Sequence, residues 1–541
     1  MRTFHISTLG CKVNQYESEQ IATLLRGRGL VQVQRAEEAD LRLVNTCSVT
    51  IRAASKSRQT ARQLVRLPKR PVSAPPDQGK GQWDTSPGQR VIVTGCWATS
   101  DRVEASALPG VSAVLGHGQD VAEQLEHFLT LWQNEDQTRT ITQPNTNTTD
   151  SPLPPEPSRD DGWMTQAGAL AQQSRYSKAQ GRAGVKGNFA KKLDVNEIFS
   201  SPAGRPDGHR GTVGLPLLSE RQNRQQRAFL KIQDGCDAHC TYCIIPKLRA
   251  NLWSKPVEQL VREARKLVEA GHGELVLTGI FLGAYGQKTA IRRREGRSPG
   301  EPLARLIDAI CTQVKGLRRV RLSSLESGDM SDELLSCLRG HRQVVPHFHL
   351  PLQSGSDAIL RRMNRQYTRG EFLEMVGRLR EGFDRPALTT DIIVGFPGET
   401  DERFEETLEV VEKAGFIHIH AFSFSPRPGT AAARWRQDFV NGPVVNERIE
   451  VLQRRAMEYS LAFRKQFVAE TVEVIVEQLG PADRLQHGRC ERYFPVWFES
   501  RQMLTGQCVK VRIERVTPQV SFGTVVEKIG TGAFFSLGGE R

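Results

Sequence analysis

The spacing of hydrophobic positions changes several times along the chain, and the changes mark its domains. Phe4–Gly10, Leu41–Thr46 and Arg90–Gly95 are short apolar runs rich in β-branched residues. The segments between them, such as Ser18–Gly29, carry helical spacing. Strands interleaved with helices predict a parallel sheet with helices packed on it. This first domain covers 1–131, and its stretch 68–89, with Pro, Gly, Asp and Ser in no period, reads as a loop insertion. From 132 to 222 the periodicity disappears into a polar, Pro-rich tract followed by a basic one poor in aromatics. Such composition cannot bury enough apolar surface to offset ordering entropy, so a mostly disordered linker is expected.

Alternation resumes over 223–465. Strands are expected at Ala228–Gln233, Glu274–Gly279, Arg318–Ser324, His347–Leu352, Leu388–Phe396 and Ile417–Phe424. Between them Lys255–Gly271, Pro302–Val314, Ser331–Gly340, Arg369–Gly382 and Glu399–Gly415 have helical spacing. Six βα units running one way predict an open (βα)6 barrel with its chemistry at the C-terminal strand ends. Over 466–531, Thr471–Leu479, Phe494–Glu499, Cys508–Val516 and Val520–Ile529 alternate in strand fashion between Gly-containing turns. That pattern predicts a small OB-like β-barrel. The fold class is therefore α/β with an all-β C-terminal domain.

Composition narrows the function. A chain of 541 residues suits three or four domains of about 150 residues. No apolar run approaches the roughly 20 residues of a spanning helix, and the N-terminus lacks the layout of a signal peptide. A cytoplasmic chain with no membrane partner is expected. Lys and Arg total 74 against 61 acids, a net charge of +13, which favours a polyanionic partner. The 10 cysteines read as metal ligands or catalytic thiols before disulfides.

Cys236, Cys240 and Cys243 have the spacing Cys-x3-Cys-x2-Cys directly after a predicted strand. Thiolates are soft ligands suited to iron–sulfur clusters. Three on one tight loop can hold three irons of a cubane 4Fe–4S cluster and leave the fourth open, as catalytic zinc sites leave a position open. The alternative is a structural zinc loop or buried core thiols, but zinc sites prefer paired Cys-x2-Cys units and no second pair occurs. Cys11, Cys47 and Cys96 match no compact motif, yet each directly follows an apolar run and a small residue (Gly10, Thr46, Gly95). Strands of a parallel sheet share a C-terminal edge where ligands gather, so three thiols can meet there with room for a cluster. Buried core cysteines are the alternative. Cys311, Cys337, Cys490 and Cys508 read as core thiols.

The Cys236 loop resembles the signature of the radical SAM superfamily. Together the two triads and the C-terminal barrel resemble the methylthiotransferases, which join a three-Cys domain, a radical SAM barrel and a TRAM domain. The blocks Thr8–Gln20, Asn45–Thr50 and Val93–Cys96 are most similar to the branch acting on N6-threonylcarbamoyladenosine in tRNA. The isopentenyladenosine branch usually has Gln-Met-Asn after the first Cys and the ribosomal-protein branch Pro-Lys-Asn; here Lys12, Val13 and Asn14 stand. His347–Thr368 and Asp391–Thr400 match blocks common to all branches. The chain departs from the family pattern after Arg249 and after Glu326, where Ser327 and Gly328 replace the usual Pro.

The resemblance implies two 4Fe–4S clusters, one on each triad, and S-adenosylmethionine on the open iron of the Cys236 loop. It implies cofactor contacts from Tyr242 and from the strand end Thr278, Gly279 and Ile280. Glu326 and Asp391, near other strand ends, are further candidates. The implied activity is methylthiolation of C2 of N6-threonylcarbamoyladenosine at position 37 of tRNA, in two S-adenosylmethionine-dependent steps. A flavodoxin or ferredoxin as electron donor and a monomeric enzyme are expected. The competing readings are methylthiolation of isopentenyladenosine or of a ribosomal-protein aspartate, and a non-catalytic iron–sulfur RNA-binding redox sensor. A sensor needs no cofactor pocket, and the Thr278–Ile280 strand end speaks against it.

Arg58, Arg62 and Arg66 fall on one helix face at i, i+4 and i+8. They read as a phosphate-contacting stripe for the anticodon arm, or as a solvated basic face. Arg489, Arg492 and Tyr493 lie beside Phe494 and Trp497, a mixture that suits RNA on an OB-like barrel, although the apolar members also suit its core. His347 and His349 alternate on one strand and point the same way, either to substrate or to hydrogen-bonded core positions. Lys12 has no role legible in the sequence.

Overall fold

The apolar runs near the N-terminus build a five-stranded parallel sheet in the order β2-β1-β3-β4-β5. Its strands are β1 (Thr3–Thr8), β2 (Val31–Gln32), β3 (Leu41–Thr46), β4 (Arg90–Gly95) and β5 (Ala113–Leu115). The helices are α1 (Lys12–Gly27), α2 (Ile51–Arg66), α3 (Cys96–Ser100), α4 (Arg102–Ser106) and α5 (Val121–Ile141). Both sheet faces are covered, which is why β3 is buried along its whole length. Leu41 and Leu43 pack with Ile21 and Leu25 of α1 and Leu125 and Leu129 of α5. Val44 packs on the other side with Ala54 and Ala61 of α2 and with Trp97.

In this computed structural model the described residues are 1–68, 89–117, 120–141, 215–219, 226–292, 300–479 and 484–529. The chain divides into a large unit, Met1–Asp136 with His209–Arg541, and a small one, Gln137–Gly208. The expected loop 68–89 and most of the expected linker 132–222 lie outside the described residues. The two ends of that linker are more ordered than its composition suggests. Helix α5 continues to Ile141, Leu215 packs into the first domain's core and Leu218 into the barrel's.

The six barrel strands are parallel and form two three-stranded sheets. The first joins β6 (Arg227–Lys231), β9 (Glu274–Thr278) and β10 (Arg319–Leu322). A short antiparallel pair, β7 (Gln233–Asp234) and β8 (Trp253–Ser254), follows β6. The second sheet joins β11 (His347–His349), β12 (Ala387–Val394) and β13 (His418–Ser423). Among the described residues the bridge Val320 to Val344 and the bond from Leu325 N–H to the His349 carbonyl at 3.1 Å link the two sheets, while β6 and β13 are not paired, so the barrel is open. The helices between them are α6 (Ile245–Leu248), α7 (Val257–Glu269), α8 (Glu301–Gln313), α9 (Asp332–Gly340), α10 (Asp357–Arg362), α11 (Arg369–Gly382) and α12 (Asp401–Ala414). Helix α13 (Gly442–Lys465) leads into a closed five-stranded barrel, β14 (Thr471–Leu479), β15 (Leu485–Cys490), β16 (Pro495–Glu499), β17 (Cys508–Val516) and β18 (Ser521–Ile529). Among the described residues no helix is long and apolar enough to cross a membrane.

Strand alternation decides what the large barrel encloses. Ala228, Leu230, Leu275, Val320, Phe348 and Leu388 join the core beneath the helices. Their neighbours Arg227, Glu274, Arg319, Arg321, His347, His349 and Asp391 are one residue out of phase and turn to the concave face. The interior is therefore charged, in contrast to a barrel filled with aliphatic layers.

A buried charge network docks the first domain on this barrel. Glu17 on α1 binds Lys231 at 2.7 Å and Arg249 at 2.8 Å, and Asp234 binds the same two cations at 2.6 and 2.8 Å. Burial alone would raise the pKa of Glu17, but Arg249 and Lys231 hold it well below the usual carboxylate range. Removing one partner of a buried pair leaves an uncompensated charge and costs about 3–5 kcal/mol. Glu17→Gln is therefore expected to lower the urea midpoint at which the first domain separates from the barrel, followed by tryptophan fluorescence. An unchanged midpoint would show that the network does not dock the two domains.

Candidate active site

The loop after β6 is held by its own backbone demands. Gly235 has φ of +81°, and a Cβ there would meet the Asn251 carbonyl at 2.0 Å. Asp234 Oδ1 accepts from the Gly235 N–H at 2.8 Å, and the Arg249 carbonyl accepts from the Cys236 N–H at 3.1 Å. The Thr241 N–H donates to the Met363 carbonyl at 3.0 Å, and the Thr241 carbonyl accepts from Ala432 at 2.9 Å. These bonds present Cys236, Cys240 and Cys243 to a cavity of about 230 Å³. Tyr242, Ile280, Phe281, Gly283, Glu326, Arg365 and Asp391 also line it.

Four of the expected cofactor residues, Tyr242, Ile280, Glu326 and Asp391, thus converge on the cysteine loop. Thr278 and Gly279 do not line the cavity. Thr278 is buried and its carbonyl accepts from Ile232 at 2.9 Å, while Gly279 lies against Gln233, whose side chain accepts from Phe281 N–H at 2.9 Å. Arg365 places Nη1 3.3 Å from Cys240 Sγ and also pairs with Glu326. Arg292 holds the other Glu326 oxygen at 2.8 Å. Burial works against the Glu326 carboxylate, but Arg365 and Arg292 keep its pKa below the ordinary value.

The second triad gathers at the C-terminal edge of the first sheet. Two buried amides knit it together. Asn14 Nδ2 donates to the carbonyls of Leu9 at 2.8 Å and Thr46 at 2.9 Å, and Asn45 Nδ2 donates to the Asn14 carbonyl at 2.9 Å. Gly10 is held at φ +99°, where a Cβ would lie 3.1 Å from Cys47 Sγ. Cys96 packs against Ile244 and Leu248, the residues that follow Cys243. This second triad therefore sits, through Cys96, on the stretch that follows Cys243. His117 bridges them, with Nε2 3.7 Å from Cys96 Sγ and accepting from Arg249 Nη2 at 3.0 Å. Burial first and then Arg249 lower the His117 pKa to about 4, so the ring is neutral.

The donor sets fit clusters better than single ions. One tetrahedral ion with bonds of about 2.3 Å would draw three thiolates to roughly 4 Å of one another. Among the described residues the group whose ligand atoms all lie within 4.8 Å is His349, Asp391 and His420, and neither cysteine triad meets that distance. Burial pushes the thiols of Cys96, Cys236 and Cys243 up to about 12, so they bind as thiolates only when a metal supplies the charge.

Glu17, His117, Lys231, Asp234 and Arg249 escaped the sequence reading, because no local motif marks them. The expected RNA contacts divide. Arg62 and Arg66 are exposed, while Arg58 is half-buried and lies 3.4 Å from Glu104. Arg489, Arg492 and Tyr493 do not form an open outer face, because the small barrel docks through them. Arg492 donates to the carbonyls of Asp384 at 2.9 Å and Arg385 at 3.1 Å. Tyr493 lies against His347, ring centroids 4.9 Å apart. Cys311, Cys490 and Cys508 are buried, and Cys337 donates to the Ala304 carbonyl.

Metal-free protein offers a direct check of the thiol environments. At pH 8 a thiol with a pKa of about 12 is ionised to roughly one part in ten thousand. Iodoacetamide is expected to label exposed Cys11 well before Cys96 or Cys243, read by mass spectrometry. Equal labelling rates would contradict the burial described.

Comparison with known proteins gives three domain matches. Residues 230–411 match the Radical SAM superfamily, 3–116 match Uncharacterized protein family UPF0004, and 465–526 match the TRAM domain. The chain is 31% identical over 516 residues to Threonylcarbamoyladenosine tRNA methylthiotransferase MtaB of Bacillus subtilis strain 168, covering 95% of this chain and 94% of that one. It is 30% identical to the protein of the same name from Chlamydia pneumoniae, covering 97% and 98%. It is also 30% identical to tRNA-2-methylthio-N(6)-dimethylallyladenosine synthase of Erythrobacter litoralis, covering 98% of each chain.

Proposed function

The chain belongs to the radical SAM methylthiotransferases, and from that premise we propose that it methylthiolates C2 of N6-threonylcarbamoyladenosine at position 37 of tRNA. The observation that carries this reading is the seating of the Cys11, Cys47 and Cys96 triad on the Cys236 loop through Cys96, Ile244 and Leu248. The names of the Bacillus and Chlamydia relatives support the threonylcarbamoyl substrate. The Erythrobacter relative, equally similar and named for dimethylallyladenosine, sets the second reading that the test must separate.

Cys236, Cys240 and Cys243 would hold one 4Fe–4S cluster, and Cys11, Cys47 and Cys96 a second. An aromatic C2–H bond is neither acidic nor electrophilic, so the hard step would fall to the cofactors, and a cluster held by Cys236, Cys240 and Cys243 would supply one-electron reducing chemistry to S-adenosylmethionine. The protein's own groups bind and orient. Arg365 sets positive charge beside Cys240, and the Arg365–Glu326–Arg292 chain fixes the cavity wall next to it. Tyr242 is held edge-on to Phe396, ring centroids 6.3 Å apart, and closes the floor. Ile280, Phe281 and Leu282 give this cavity an apolar wall. A cluster on Cys11, Cys47 and Cys96 would hold the sulfur, the Cys236 loop would serve radical generation, and the two uses of S-adenosylmethionine would be separate.

The two triads should fail separately. Replacing Cys11, Cys47 and Cys96 by Ala is expected to abolish 2-methylthio-N6-threonylcarbamoyladenosine in tRNA while reductive release of 5′-deoxyadenosine survives. Iron should fall from about eight per chain to about four. Replacing Cys240 by Ala should abolish both products. Nucleoside mass spectrometry with chromatography of 5′-deoxyadenosine checks this. Methylthio product from the triple variant, or methylthiolation of dimethylallyladenosine in its place in the wild type, would overturn the reading.

A further inference from the structure

The concave face of the barrel holds more positive charge than its own acids neutralise. Glu274 is shared by Arg321 at 2.7 Å and Arg319 at 3.6 Å. Glu477 is shared by Arg227 at 3.0 Å and Arg489 at 3.7 Å. Lys12 enters this group from the first turn of α1, within electrostatic reach of Arg321, Arg227, Tyr493 and Asp391. No hydrogen bond or ion pair to its ammonium is found among the described residues. Asp391 accepts from His349 Nε2 at 3.2 Å. Arg319 also pairs with Glu473 at 3.7 Å, so five cations face four carboxylates.

Donors in the same place lack acceptors. Arg321 Nη1 is buried with no hydrogen-bond partner, and so are both ring nitrogens of His347. Arg321 is 3% exposed and His347 7%. A buried polar group without a partner is costly, and here three such atoms belong to two side chains that both lie against the Tyr493 ring. The ring lies tilted at 40° against His347 and under the guanidinium groups of Arg227, Arg321 and Arg489 at 4.9, 4.9 and 4.5 Å. It is held there by a turn in which Tyr493 itself adopts φ of +72°, a conformation uncommon outside glycine. Asp391 joins the two regions, since it also lines the cavity at the cysteine loop. The surplus of cations disfavours a metal ion at His349, Asp391 and His420.

We propose that this chamber binds a carboxylate carried by the base being modified, with Lys12 and Arg321 as its specificity-determining residues. The inference rests on the tRNA reading above and deepens it. A carboxylate is planar, accepts from a guanidinium edge and an ammonium together, and neutralises the surplus charge. The threonylcarbamoyl group offers such a carboxylate next to the purine, and an isopentenyl group does not. A backbone phosphate of the RNA shares the anionic chemistry and is the other source to distinguish.

The test is equilibrium binding of anaerobically prepared enzyme to fluorescent anticodon stem-loops that differ only at residue 37. The three RNAs carry adenosine, N6-threonylcarbamoyladenosine, or its methyl ester, which keeps the shape and removes the charge. Wild type is expected to bind the acid about tenfold or more tightly than the ester, the scale of one charge-assisted hydrogen bond. Lys12→Gln should erase most of that preference without altering affinity for the adenosine RNA, and Lys12→Arg should restore it. Iron content and circular dichroism confirm that each variant is folded. Equal weakening for all three RNAs would assign Lys12 to a phosphate and overturn the proposal. So would a wild type that binds acid and ester alike, a result that needs no variant. If threonylcarbamoyladenosine tRNA is methylthiolated while acid and ester bind alike, the function stands and the chamber assignment fails. If that tRNA is never methylthiolated, the functional reading fails first.

Discussion

Four charges buried between α1 and the loop around the barrel cysteines set the geometry on which everything else depends. Lys231 is fully buried, and Glu17, Asp234 and Arg249 are each at most 5% exposed. Ions so placed lose their hydration, and only close pairing recovers it. Each carboxylate here meets both cations. Such a network has little tolerance for sliding, because any slip leaves an unpaired buried charge. Its value is position more than stability. Glu17 lies six residues after Cys11, and Arg249 six after Cys243, so locking those two side chains fixes one triad over the other. His117 extends the same network to Cys96 through Arg249.

The open barrel follows a related logic. Its strands place aliphatic residues outward beneath the helices and charged residues inward. A charged interior is tolerable only if it is paired or wet. Some of its pairing comes from the C-terminal barrel, whose Glu473 carbonyl accepts from Arg319 at 2.7 Å and Glu491 carbonyl from Arg321 at 3.2 Å. Lys12 comes from the first domain and Tyr493 from the last. All three domains therefore contribute side chains to one charged cluster, and Asp391 of that cluster also lines the cavity at the cysteine loop.

Much of the architecture was readable in the sequence because its causes are local. The β-branched runs marked the long strands, and alternation of strand and helix marked the parallel sheets. Two very short strands, β2 and β5, carry too few residues to show a period. Strand β15 was missed for another reason. Its inward positions include Gln486, buried with its amide bonded to the Gln502 carbonyl and the Leu504 N–H, so the apolar alternation is broken. The Cys236 loop was marked by its compact cysteine spacing, and Cys11, Cys47 and Cys96 by the apolar run that precedes each. The docking network was not, since Arg249 and Glu17 are 232 residues apart. Arg489, Arg492 and Tyr493 show a further limit. A basic and aromatic cluster looks the same in sequence whether it faces solvent or the neighbouring domain.

The central claim is that the buried network holds the two triads in one fixed relation. Pulsed dipolar electron paramagnetic resonance between the reduced clusters proposed for the two triads measures that relation directly. The account predicts a single narrow distance in the wild type and a broadened distribution in Arg249→Gln with both clusters still loaded. An equally narrow, unshifted distance in that variant would contradict it.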